Sequence, residues 1–171
     1  MGWIPTRTLY FYPMKIYLAG PDVFLKNAVA VLKHKSSILQ EAGYEVVTPL
    51  DNLLDNPYDI YVSNIKLIEQ SDIVVANVEP FRGTEPDSGT VFEIGYAAAL
   101  GKEIYTYNNP ANSYLNRLVA SDATSGQTRF TPEPFGLKQN LMLSCACAST
   151  LEFETFYELV SHLQSRRNSS P

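Results

Sequence analysis

Glu93 is the one charged residue in the stretch GTVFEIGYAAALG, from Gly89 to Gly101. Val91, Phe92, Ile94, Ala97, Ala98 and Leu100 surround it at helical spacing and wrap nearly the whole circumference, which predicts a largely buried helix. A carboxylate taken out of water without partners is costly, so such a residue is either held by a specific arrangement or used by one. Asp87 precedes it on the loop side of the helix start. With Asp87 or Ser88 as N-cap, Glu93 lies within the first two turns, where free backbone N–H groups and the helix dipole favour negative charge. That would keep it ionised, the state a nucleophile needs. Two carboxylates at one helix N-terminus suit acid–base or covalent chemistry. A capping-turn glutamate and an N-cap aspartate with structural duties fit the same spacing, and residue pattern alone stops at a carboxylate site.

The elements that must position these groups follow an alternating order. KIYLAG (Lys15 to Gly20) is a strand, followed by a helical stretch from Val23 to Ala42 that Gly43 ends. YEVVTPL (Tyr44 to Leu50) is a second strand, and Asn56 to Ser71 has helical spacing through Ile60, Ile65, Leu67 and Ile68. DIVVANV (Asp72 to Val78) is a nearly continuous apolar run, as expected of a parallel strand buried on both faces. KEIYTYN (Lys102 to Asn108) is a fourth strand, and a final helix is expected over Leu151 to Arg167. The alternation predicts an α/β three-layer sandwich, flavodoxin-like or Rossmann-like, with about five mostly parallel strands. One domain is expected over residues 14–165, between an N-terminal extension (1–13) and a C-terminal tail (166–171). The long segment from Asn108 to Asn140 reads as a functional loop, broken by a short helix at SYLNRLVAS (Ser113 to Ser121).

In open α/β sheets ligands sit outside the carboxyl ends of the strands. AGPD (Ala19 to Asp22), PLDN (Pro49 to Asn52) and EPFRGTEPDSG (Glu79 to Gly89) all fall there, the last leading into the Glu93 helix. Neither G-x-G-x-x-G nor G-K-[ST] occurs, so no dinucleotide or Walker-type phosphate cradle is encoded.

Composition narrows the classes of partner. The chain has 171 residues, 45% hydrophobic and 18% charged, with a net charge of -5. That describes a globular domain and argues against a nucleic-acid polymer as partner, because phosphate binding wants a basic patch. No stretch has the length of a membrane span. Cys145 and Cys147, in C-x-C without histidines at ligand spacing, fit neither a zinc site nor a disulfide framework. A reducing, cytoplasmic setting is expected, with no metal and no cofactor. MGWIPT formally matches an N-myristoylation pattern; with Met14 immediately before the first strand, an upstream extension or an alternative start is the preferred reading.

The run SDIVVANVEPFRGTEPDSGTVFEIGYAAALGK resembles the signature of the nucleoside 2-deoxyribosyltransferases, which joins an apolar strand, PFRG and D-S-G-T-x-F-E-x-G-x-A. KIYLAGPDVF, TPLDN and FGLKQNLML extend the resemblance in the same order over most of Met14 to Leu163, with similarity to trypanosomatid members. The resemblance implies a pentosyltransferase that exchanges the bases of 2′-deoxynucleosides in salvage, with 2′-deoxynucleosides and free purine or pyrimidine nucleobases as small-molecule partners. Glu93 matches the family's nucleophile, which forms a deoxyribosyl ester. Tyr17 matches the tyrosine that orients it, and Asp87 the carboxylate that accepts the sugar 5′-hydroxyl. Gly20, Asp22, Asp51, Asn64, Ser88 and Gly89 fall in the matching substrate-binding motifs. Asn140 matches an asparagine supplied by a neighbouring subunit, implying a homo-oligomer with shared active sites. Asn64 departs from several relatives, which carry an aspartate proposed as general acid. An amide can orient a base but cannot lend it a proton, leaving water, Asp51 or Asp22 as sources, and both aspartates read equally well as turn or cap residues. A hydrolase of deoxynucleoside 5′-monophosphates in the same superfamily and a non-enzymatic nucleotide-binding module are the alternative readings.

Overall fold

The computed structural model describes residues 13–52, 54–125, 133–147 and 152–169. The MGWIPT pattern lies outside the described residues. Strands β1 (Lys15–Ala19), β2 (Glu45–Val47), β3 (Ile73–Asn77), β4 (Glu103–Tyr107) and β5 (Glu152–Phe153) alternate with helices α1 (Ala28–Glu41), α2 (Pro57–Glu69), α3 (Ser88–Ala99), α4 (Tyr114–Ser125), α5 (Leu141–Ala146) and α6 (Phe156–Asn168). The strands pair in parallel in the order β2-β1-β3-β4-β5. This is the flavodoxin-like order, and it reverses between β1 and β3, where a crevice opens at the carboxyl ends.

Side-chain alternation along the strands builds two apolar layers. Ile16, Leu18, Ile73, Val75, Tyr105 and Tyr107 face α1 and α6, meeting Leu39, Phe156, Leu159 and Leu163. Tyr17, Ala19, Val74, Ala76 and Ile104 face the other way, meeting Ile68 of α2, Ile94 and Ala97 of α3 and Leu143 of α5. Tyr17 therefore points at the helix that carries Glu93, because it is one residue out of phase with Ile16 and Leu18.

The structure corrects the expected elements at several points. The helix expected from Val23 begins only at Ala28; Pro21–Phe24 forms a separate 3-10 turn. Leu25, extended at φ -70° and ψ 145°, separates the two; Gly20, just before the turn, has φ 150°, and a Cβ there would stand 2.7 Å from Cβ of Asn77. The expected final helix loses its first residues to β5. Thr155 and Glu158 form a reciprocal capping box that starts α6 at Phe156, leaving Glu152 and Phe153 free to pair with Thr106 and Tyr107. At the other end α6 includes Arg166 and Arg167, as the expected helix did; Arg166 pairs with Glu103 and Arg167 donates to the carbonyl of Gly43. Among the described residues the segment from Asn108 to Asn140 holds one helix, α4, which runs further than the short one expected, and α5 follows it. Helix α3 is not buried all round: Phe92 is 51% exposed and Leu100 43%, while Thr90, Ile94 and Ala97 form its buried face.

Candidate active site

Asp87 is the N-cap of α3, its Oδ2 accepting hydrogen bonds from the backbone N–H of Thr90 at 3.0 Å and from its hydroxyl at 3.2 Å. Glu93 follows in the second turn of the helix, over the carboxyl end of β1. There the Tyr17 hydroxyl donates to Glu93 Oε1 at 2.6 Å. The Asn64 amide, from α2, donates to the same oxygen at 3.5 Å. No hydrogen bond to Glu93 Oε2 is found among the described residues. Three elements that are distant in sequence thus converge on one carboxylate, and one of its oxygens is left to the cavity in front of it.

That cavity has a volume of about 390 Å³. Its wall includes Gly20, Asn64, Asp87, Gly89 and Glu93, together with the apolar Val23, Phe24, Pro49, Leu50, Leu54 and Ile60. No lysine or arginine stands among its described lining residues. The carbonyl oxygen Asn64 Oδ1 is buried there without a hydrogen-bond partner, so it offers an acceptor to a bound N–H or O–H group. Apolar walls with a few convergent polar groups are the composition of a small-molecule site. A larger cavity, about 520 Å³, lies by β4, β5 and α5, where Thr106, Asn109, Gln139 and Cys147 line it. It contains no pair of carboxylates, and size does not make it the reactive site.

Burial pushes Glu93 up from an ordinary 4.5 to about 7; the Tyr17 hydrogen bond opposes the rise and the nearby Asp87 charge adds to it. Burial thus opposes the ionisation that the helix N-terminus is expected to favour. The dipole's influence falls off within the first turn, and Glu93 sits in the second, where loss of water dominates. Burial, followed by the Glu93 charge and the hydrogen bond to it, drives the Tyr17 phenol far above its usual range. Tyr17 is therefore a fixed donor to the carboxylate.

The other expected site residues separate into groups. Asp51 is a turn residue: its carboxylate accepts from the Thr48 N–H at 2.9 Å and the Thr48 hydroxyl at 2.7 Å, and it is absent from the cavity wall. Asp22 is 5% exposed and ion-paired with Lys35 at 2.8 Å; Asn77 and Tyr107 donate to it as well. Both carboxylates thus hold structural contacts within the chain, and neither residue lines the Glu93 cavity. Ser88 is exposed and does not line the cavity. Asn140 caps α5 by accepting from the Met142 N–H, and it donates to Glu133 at 2.7 Å. Within its own chain it does not line the Glu93 cavity. Sequence reading missed Phe24, Leu50, Asn52 and Ile60 as wall residues and Lys35 as the counter-ion of Asp22; for Lys35 no spacing signal exists, since the pairing depends on how α1 lies on the sheet. Cys145 and Cys147 are free thiols, and burial pushes Cys147 up to about 11. Among the described residues no group of three or more His, Cys, Asp or Glu side chains could hold a metal ion, and no helix is long and apolar enough to cross a membrane.

Comparison with known proteins points to one group. Residues 16–142 match the family described as nucleoside 2-deoxyribosyltransferase. The solved structure of a 2-desoxiribosyltransferase from Leishmania mexicana is 32% identical, with a TM-score of 0.76 over 90% of this chain and 98% of that one. The 2-deoxyribosyltransferase of Bacillus psychrosaccharolyticus, at 19% identity and a TM-score of 0.56 over 87% of this chain and 95% of that one, shares the fold. A putative 2′-deoxynucleoside 5′-phosphate N-hydrolase 1 from Thermofilum pendens is 35% identical over 98 residues, covering 53% of this chain and 65% of that protein. The chain spans less than two thirds of the length of the curated relatives it matches.

Proposed function

Because the chain belongs to the nucleoside 2-deoxyribosyltransferase family, we propose that it exchanges the base of 2′-deoxynucleosides through a deoxyribosyl ester on Glu93. The observation that carries this reading is the Tyr17–Glu93 pair at 2.6 Å, set in an apolar cavity with Asp87 at the start of the same helix. Tyr17 and Asn64 both hold Oε1, so Oε2 is the oxygen free to attack C1′. The C1′–N bond breaks as the C1′–O bond forms, and its electron pair leaves with the base. In the second step a nitrogen of an incoming base attacks C1′, its proton passing to water, and the carboxylate departs. Two inversions give retention, as in glycosidases that use a carboxylate nucleophile.

Asp87 accepts the 5′-hydroxyl in this reading. Asn64 has no proton to give, and Asp22 and Asp51 are engaged elsewhere, so the leaving base takes its proton from water. Asn140 would complete the sugar site of a neighbouring chain in a homo-oligomer, which accounts for its place outside the cavity of its own chain. A cytoplasmic salvage role accompanies this reading. The rival is hydrolysis of deoxynucleoside 5′-monophosphates, which the similarity to the Thermofilum protein favours. A carboxylate at position 87 and the lack of a cation among the described cavity residues favour free nucleosides. The deciding experiment is incubation with 2′-deoxyinosine, with and without adenine, followed by chromatography. Deoxyadenosine formed only with adenine supports transfer. Hypoxanthine released without an acceptor would replace transfer by hydrolysis, and no change in either tube would leave only a binding role.

A further inference from the structure

Two loops meet at the mouth of the Glu93 cavity through aromatic rings. Phe24, the last residue of the 3-10 turn after β1, lines the cavity yet is 55% exposed. Its ring stacks on Phe81, with centroids 5.1 Å apart and planes 21° from parallel. Above both lies the Arg82 guanidinium, its central carbon 4.6 Å from the Phe81 centroid and 5.4 Å from that of Phe24. Arg82 reaches this position with φ 53°, a conformation that costs an L residue about 1 kcal/mol or more. Such strain persists where surroundings over-determine it, and it gathers at ligand clamps. The backbone N–H of Phe81 donates to the Glu85 carbonyl at 2.8 Å, closing the loop from which Arg82 projects. Two residues further on, the same loop delivers Asp87.

We infer that Arg82 is a positioning residue whose guanidinium, seated on the Phe24–Phe81 stack, locks Phe24 as a cavity wall and thereby sets the affinity for the planar ring of the substrate. This rests on the reading of the site as one for deoxynucleosides and bases. Phe24 needs such a lock because its ring is half-exposed and lies in neither buried apolar cluster. A cation over ring faces supplies one without closing the cavity, as the attraction acts on the ring quadrupole.

The test is a double-mutant cycle of Phe24→Ala and Arg82→Gln, with Arg82→Lys as the charge-retaining control. The readouts are KM and kcat for 2′-deoxyinosine with adenine as acceptor, and adenine affinity by calorimetry, which needs no turnover. Arg82→Gln should raise KM and weaken adenine binding roughly two- to fivefold at unchanged kcat, the size of an exposed cation–π interaction. Arg82→Lys should recover most of the loss. In the Phe24→Ala background Arg82→Gln should add nothing, since residues acting as one unit are not additive. Additive effects, unchanged affinity in Arg82→Gln, or a loss confined to 2′-deoxyinosine 5′-monophosphate would overturn the inference, the last by making the guanidinium a phosphate ligand. Failure of the parent protein to turn over deoxynucleosides sinks the functional reading alone; the cycle on adenine affinity then still decides the role of Arg82.

Discussion

Replacing Glu93 by Gln should abolish transfer and at the same time stabilise the fold, and the second effect should depend on pH. The amide keeps an oxygen to accept the Tyr17 hydroxyl, so the perturbation is chiefly the removal of a charge. In the parent, burial raises the carboxyl from 4.5 to about 7. Below about pH 4.5 it is neutral whether the chain is folded or unfolded, and the ionisation burden is absent. Between about 4.5 and 7 the folded chain holds a proton that the unfolded chain has released, so stability falls as pH rises through this window. Above pH 7 the burden is complete. At about 1.4 kcal/mol per decade in proton affinity it reaches about 3 kcal/mol as an order of magnitude. The Gln variant carries no such burden, and other titrating groups cancel in the comparison. Urea unfolding of both proteins at pH 4.5 and pH 8 measures the difference. The variant should gain about 3 kcal/mol on the parent between the two conditions, or roughly 6–12 °C in Tm for a domain of this size. An equal stability difference at both pH values would refute the claim that Glu93 is held ionised against desolvation.

Four further outcomes test the site. Tyr17→Phe removes the hydrogen bond that lowers the Glu93 pKa, so the acid limb of kcat/KM should move above about 7; an unmoved limb in the pH–rate profile would separate Tyr17 from the ionisation of Glu93. Asp87→Ser keeps a good N-cap but removes a charge that would repel a phosphate by roughly 4 kcal/mol at 4 Å and an effective dielectric near 20. The preference of kcat/KM for 2′-deoxyadenosine over its 5′-monophosphate should therefore narrow, and equal values in the parent would show that Asp87 does not discriminate. In Gly89→Ala the added Cβ would stand 3.0 Å from Asp87 Oδ2; KM for the nucleoside should rise several-fold while helix propensity, about 1 kcal/mol in favour of Ala, keeps Tm at or above the parent value. Mixing inactive Glu93→Ala and Asn140→Ala chains should restore part of the activity through hybrid sites, and a strictly monomeric protein in sedimentation would exclude sharing.

Much of this protein was legible in its sequence because the determinants are local. The apolar run of β3 reads as a strand buried on both faces. Asp87 caps α3 as its spacing before the GTVFE stretch suggests, which places Glu93 in the second turn by helical geometry alone. The pairing of Tyr17 with Glu93 was available only through resemblance to a family, since no spacing rule connects residues 76 apart. Tertiary structure decided what depends on neighbours. Glu152 and Phe153 became an edge strand because a capping box began α6 later and β4 offered an open edge. The protein contacts of Asp22 and Asp51 are of this kind: packing brings Lys35 to the first, and a turn brings Thr48 to the second. The ionisation of Glu93 was the least legible property of all: composition marks a lone carboxylate among apolar residues, but the balance between lost water, the Tyr17 hydroxyl and the Asp87 charge exists only once helix, strand and loop enclose the same few ångströms.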